Sequence, residues 1–214
     1  MISIRSFVFN PFSENTYVVS DETKECVIID PGCYTKEEEN ELVQYITDEE
    51  LKPVLLLNTH GHIDHVLGNY FIQKTYGLGL GIHKVEAPTL KSVVTYAPSY
   101  GFAQYQEIEP EFFISEDKTV SFGNSTFEVL FVPGHSEGHV ALINKEQNIC
   151  ISGDVLFDGS IGRTDLPGGN FETLIESIHS QLFNLPDNMV VYSGHGPTTT
   201  IGKENESNPF CAIK

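Results

Sequence analysis

Basic side chains are scarce in this chain: 12 Lys and Arg stand against 30 Asp and Glu, a formal net charge of −18. That deficit argues against a phosphate backbone as partner, because nucleic-acid binding leans on clustered Lys and Arg. It also offers no polybasic attraction to an anionic membrane. Cysteine is sparse as well, with four residues at 26, 33, 150 and 211 and no C-x-x-C spacing. No disulfide framework is indicated at this length, and Cys26 and Cys150, inside apolar runs, read as small buried hydrophobes. No apolar run approaches the roughly 20 residues that span a bilayer. The N-terminus alternates like a strand and lacks the basic region and apolar stretch of a signal peptide, so a cytoplasmic location is expected. Low-complexity linkers are missing too, and the 214 residues are expected to form one domain, 1–214.

The 40% hydrophobic and 11% aromatic content suits a globular protein. Alternation and turn residues predict strands over 2–9, 17–19 and 26–29, the last ending at the breaker Asp30-Pro31-Gly32. Thr35 with Glu38 three residues on is a capping box, opening a helix through Leu42, Ile46 and Leu51. The apolar run 53–58 reads as a buried strand, 66–76 as a helix and 79–83 as a short strand. Residues 84–112 are expected to be the least regular part, with aromatics among Pro and Gly, either an insertion that covers a site or plain surface packing. A hairpin over 119–122 and 126–132, strands at 139–143 and 149–152, and a Gly-rich loop over 153–169 follow. Asn170 caps a helix with an apolar face of Phe171, Leu174, Ile175, Ile178 and Leu182. Strand 189–192 precedes an irregular tail.

The histidines are not spread evenly. His60-Gly-His62-Ile-Asp64-His65 places four ligand-type side chains in six residues, immediately after the 53–58 strand. Gathering three imidazoles and a carboxylate costs desolvation and conformational freedom, and a divalent cation is the common compensation. Three more such residues recur in one setting, an apolar strand followed by a Gly and then a ligand: His135 after Gly134, Asp154 after Gly153, His195 after Gly194. The seven side chains suffice for two cations if one carboxylate bridges them. His83, His139 and His179 are left out of the set; His139 reads as supporting or structural.

Thr59 to His65, Pro133-Gly-His135, Gly153-Asp154 and Gly194-His195 together resemble the metallo-β-lactamase-fold hydrolases over essentially the whole chain. The resemblance implies an α/β fold, a four-layer αβ/βα sandwich. It assigns one metal to His60, His62 and His135, the other to Asp64, His65 and His195, and the bridge to Asp154. It implies two divalent ions, zinc first, with iron and manganese also suited, and catalytic parts for Asp64 and Asp154. The stretch 153–169 and the tail from Gly194 to Lys203-Glu204, with Asn208-Pro-Phe, are similar to the small glyoxalase II-type hydroxyacylglutathione hydrolases. A thioester such as S-lactoylglutathione is therefore the expected substrate, and Arg163 and Lys203 the expected contacts for its carboxylate. Only 19 residues follow His195, which leaves no room for the C-terminal helical domain of the longer glyoxalase II enzymes and puts glutathione itself in question. The rival expectation is a mononuclear iron persulfide dioxygenase, which shares the fold and a Gly-Arg-Thr-Asp stretch. A non-catalytic metal-binding or regulatory protein is a third. A true β-lactamase fits less well, because the common zinc type has Cys where this chain has Asp154.

Overall fold

The structure, a computed structural model, describes residues 1–213. By density of internal contacts the chain divides into two compact units, one made of 1–114 with 121–126 and the other of 115–120 with 127–214.

The first unit is built on a six-stranded sheet ordered β1-β2-β3-β4-β5-β6. Its strands are β1 (Ser3–Phe9), β2 (Glu14–Ser20), β3 (Glu25–Ile29), β4 (Lys52–Leu57), β5 (Leu80–His83) and β6 (Pro110–Ile114). The first three pair antiparallel and the rest parallel. In β1 the alternation is visible as buried Phe7 and Phe9 flanking exposed Val8, the two-residue period of a half-buried strand. Helix α1 (Lys36–Asp48) begins at the expected capping box, Thr35 accepting from the Glu38 N–H while Glu38 accepts from Thr35. The one-turn α2 (Ile63–Val66) and the longer α3 (Asn69–Tyr76) follow β4. Phe7, Val18, Ile28, Leu56, Ile72 and Leu80 belong to one buried core.

The stretch expected to be irregular, 84–112, holds a ten-residue helix, α4 (Ala87–Tyr96), and a 3₁₀ segment after it. Threonine, valine and tyrosine carry weak helix propensity, but Pro88 sits in the first turn, where its missing N–H costs nothing. Leu90 and Val93 anchor the buried face. Tertiary packing decides here, not propensity.

The second sheet is ordered β14-β13-β10-β9-β8-β7. It comprises β7 (Thr119–Phe122), β8 (Ser125–Phe131), β9 (Val140–Asn144), β10 (Ile149–Gly153), β13 (Val190–Ser193) and β14 (Thr199–Thr200). Between β10 and β13 the 153–169 loop contains a small hairpin, β11 (Leu156–Phe157) with β12 (Ser160–Ile161). Helix α5 (Phe171–Ser177) is capped by Asn170, whose side chain accepts from the Thr173 N–H, and continues as a π-helical turn through Leu182. The tail is not irregular: α6 (Ile201–Ser207) starts at Thr200, whose hydroxyl accepts from Lys203. Val132, Ile143, Cys150, Leu174, Ile178, Leu182 and Val191 form this unit's core. All four cysteines are buried thiols, and burial pushes those of Cys26 and Cys150 up to about 12. No described helix is long and apolar enough to cross a membrane.

Candidate metal centre

In the first unit, β3 and β4 run parallel and end side by side. β3 delivers Asp30 in the left-handed backbone region, at φ 50°; β4 delivers Asn58 and Thr59 into the histidine loop. Asp30 is buried and its carboxylate collects that loop. One oxygen accepts from the Thr59 N–H at 2.7 Å; the other takes the Thr59 hydroxyl at 2.6 Å and His65 Nδ1 at 3.2 Å. Having given its proton to Asp30, the Thr59 oxygen accepts from His60 Nδ1 at 3.1 Å. Both Nδ1 atoms therefore carry hydrogen, and in a neutral imidazole that leaves Nε2 with the lone pair. His60 and His65 are fully buried, and their rings lie 4.2 Å apart.

The rest of the loop is held as closely. Gly61 packs so tightly on α4 that a Cβ there would meet the Leu90 nitrogen at 2.7 Å, and its N–H donates to buried Glu86 at 3.0 Å. His62 lies extended just ahead of α2, its ring 4.8 Å from that of His60. Within α2, Asp64 and His65 are adjacent, with His65 Nε2 3.7 Å from Asp64 Oδ2. The Asn10 amide donates to the Asp64 carbonyl at 3.0 Å. Glu14 lies behind His65, 3.8 Å from Nδ1. Complete burial holds its carboxyl well above the usual carboxylate range, against the opposing pull of His65. Tyr96 borders the loop on α4: burial first, then the Asp64 charge, pushes its hydroxyl up to about 12.

The second unit repeats the device at three strand ends. After β8, Gly134 adopts φ 130° and presses on α5, where a Cβ would come within 2.3 Å of the Leu174 nitrogen. That presents His135, whose Nδ1 bonds the Arg163 carbonyl at 2.8 Å. β10 ends in Gly153 at φ 49°, with a register shift against β13. Asp154 follows, its N–H donating to His139 Nε2 at 3.0 Å. After β13, the Gly194 N–H bonds the Gly153 carbonyl at 2.8 Å, and His195 comes next. A single oxygen, Asp154 Oδ2, then faces His135 Nε2 at 3.6 Å and His195 Nε2 at 3.4 Å.

These distances test the fit to a metal. With Nδ1 of His135 committed to a carbonyl, its Nε2 is the atom left to face the carboxylate oxygen, at a separation too long for a direct hydrogen bond. Two ligands bound at about 2.1 Å to one tetrahedral ion stand about 3.4 Å apart. The pairs on Asp154 match that separation, and His65 with Asp64 comes close to it. The donor set, imidazole and carboxylate without thiolate, suits zinc, iron or manganese.

Of the residues that sequence reasoning named, His60, His62, Asp64 and His65 share one loop of the first unit, and His135, Asp154 and His195 are brought together in the second. Arg163 is exposed and bonded through two nitrogens to Asp165 at 2.7 and 2.8 Å, whose carboxyl its guanidinium holds down at about 2. Lys203 pairs with Asp158. Sequence reasoning did not find Asp30, Glu14 or Glu86. Asp30 carried a usable signal, an acid directly after an apolar strand like Asp154, but Pro31 and Gly32 made it look like a turn. His139, set aside as supporting, holds the Asp154 backbone.

Asp30 yields the first prediction. Outer partners of ligating histidines are worth about 10–100-fold in metal affinity. Asp30→Asn keeps the volume and the backbone angle but brings an NH₂ against the donors it must accept. Titration of the metal-free variant is expected to show binding weaker by about that factor; wild-type affinity would remove Asp30 from this role.

The Metallo-beta-lactamase superfamily profile matches residues 9–195. The chain is 37% identical over 205 residues to a Haemophilus influenzae protein named hydroxyacylglutathione hydrolase GloC, covering 95% of each. Among solved structures, one described as the B3 metallo-beta-lactamase BLEG-1 aligns with a TM-score of 0.86 at 34% identity, covering 97% of this chain and 99% of that one. TTHA1623 in a di-iron-bound form also aligns at 0.86, with 35% identity, covering 96% of this chain and 99% of that one.

Proposed function

Since the chain belongs to the metallo-beta-lactamase superfamily of metal-dependent hydrolases, we propose that it is a dinuclear thioester hydrolase acting on S-lactoylglutathione or a related acyl thiol. The proposal takes 1–214 as one catalytic domain. His60, His62 and His135 hold one divalent ion, Asp64, His65 and His195 the other, and Asp154 serves both. Zinc is the proposed occupant; iron and manganese are the alternatives, iron supported by the similar di-iron-bound protein. The observation that carries the reading is the approach of two imidazole nitrogens to one oxygen of Asp154 at metal-ligand separations.

Bound there, the ions would supply a hydroxide at neutral pH and a Lewis acid for the acyl carbonyl. The chain's own residues do the rest. Asp30, Thr59 and the Arg163 carbonyl keep three imidazoles aimed through Nε2. Asp64 is the proposed acceptor for the proton released as the acyl carbon is attacked. A thiolate leaves without help, so no separate acid is required. Arg163 and Lys203 are proposed to exchange Asp165 and Asp158 for a substrate carboxylate. The excess of acids over bases supports a small-molecule substrate in preference to nucleic acid or a membrane. The proposed setting is the cytoplasm.

Metal analysis of the purified protein, paired with an S-lactoylglutathione assay, tests this. Two metals per chain are expected, with hydrolysis lost on chelation and restored by added metal. One iron per chain, no hydrolysis and oxygen uptake with glutathione persulfide would assign the persulfide dioxygenase reaction instead. Faster turnover of a penicillin than of the thioester would overturn the substrate.

A further inference from the structure

We propose that Glu204 and Asn208 on the C-terminal segment are positioning residues for His135, acting through the β11–β12 hairpin. The inference rests on the reading of His135 as a metal ligand and concerns what keeps it one. Glu204 is a buried carboxylate that gathers three donors from three segments: the Thr199 hydroxyl at β14, the Gly159 N–H at the hairpin turn at 2.9 Å, and the Asn208 amide at 2.7 Å. The Asn208 amide also donates to the Ser160 carbonyl at 3.0 Å. Both polar groups at the hairpin turn are thus fixed from α6 and the residue after it.

The hairpin has no slack to absorb a shift. After Ile161 a single residue, Gly162, separates it from Arg163, whose carbonyl takes His135 Nδ1. Gly162 is itself tied by its N–H to the Val155 carbonyl. The Lys203–Asp158 pair spans the same two segments, but both partners reach solvent, and such pairs contribute little. The buried carboxylate is what locks the turn. The acid beside Lys203 thus bonds the hairpin that leads to the His135 acceptor.

Glu204→Leu is the sharpest test: Gly159 and Asn208 donate to one carboxylate oxygen, which a glutamine could replace by turning its amide oxygen there, whereas leucine keeps the bulk and accepts from neither. The metal-free full chain is titrated with cobalt(II) and its visible d–d band recorded, with urea unfolding alongside. The band of the ion held by His135 is expected to shift, and affinity to fall about 10–100-fold. Leu182→Ala, in the same core, is expected to lower the unfolding midpoint and leave cobalt binding unchanged, which separates positioning from general weakening. Should Glu204→Leu not fold, Asn208→Ala removes the Ser160 bond and serves in its place. A folded variant with wild-type affinity and spectrum overturns the inference while leaving the ligand assignment intact. Failure of the wild-type chain to bind cobalt overturns both.

Discussion

Replacing Asp154 with Ala is expected to lower kcat/KM for thioester hydrolysis by about a thousandfold or more, roughly 4 kcal/mol of lost transition-state stabilisation. One oxygen of this carboxylate faces both His135 and His195. Its removal takes away an anion that those two imidazoles share, and with it the bridge of the proposed pair of ions. The fold is expected to survive, since Asp154 contributes its backbone N–H to His139 through an atom the substitution keeps. Metal content, activity and thermal unfolding of the same sample check the three parts. Near-normal turnover in metal-depleted buffer would refute the mechanism outright. Activity lost together with the fold would show only that the residue is structural.

Gly162→Ala is expected to be nearly as severe although the residue has no side chain to lose. A Cβ there would lie 1.9 Å from the Asp154 carbonyl oxygen and 3.1 Å from His135 Nδ1. The first distance is an impossible contact with backbone, so either the Asp154 peptide or the segment leading to Arg163 must move. Overpacking of this kind costs about 1–3 kcal/mol. Both escapes disturb a ligand or its partner, so metal affinity is expected to fall by at least about 10–100-fold as well. Urea unfolding of the metal-free protein and metal titration measure the two effects. A variant that binds metal normally would mean that the loop yields more readily than its packing indicates.

Much of this was legible in the sequence because the ligands occupy short-range patterns. His60 to His65 are contiguous, and Gly134, Gly153 and Gly194 each stand directly before a ligand, where the strand-then-glycine signature is local. What stayed hidden is what depends on distance along the chain. Asp30 lies 29 residues before the Thr59 it holds, and Glu86 lies 25 residues after Gly61; neither has a neighbour in sequence that announces a partner. Arg163 has a further part that its residue type did not announce. Beside the guanidinium, its carbonyl takes His135 Nδ1, a contact that any residue type supplies. Helices α4 and α6 were missed because α4 is rich in residues of weak helix propensity and α6 is only seven residues long; packing, not pattern, forms them.

The hold of Asp30 on the histidine loop bears on how such a site diverges in evolution. The same oxygen that takes the Thr59 hydroxyl, and through it orients His60, also takes His65. In the proposed assignment those two imidazoles serve different ions, so a single inherited acid aligns both. A mutation at position 30 is therefore expected to loosen both imidazoles together instead of releasing one ion alone. A relative with this loop and a single metal is then expected to have lost the other through its ligands and to keep the acid at position 30.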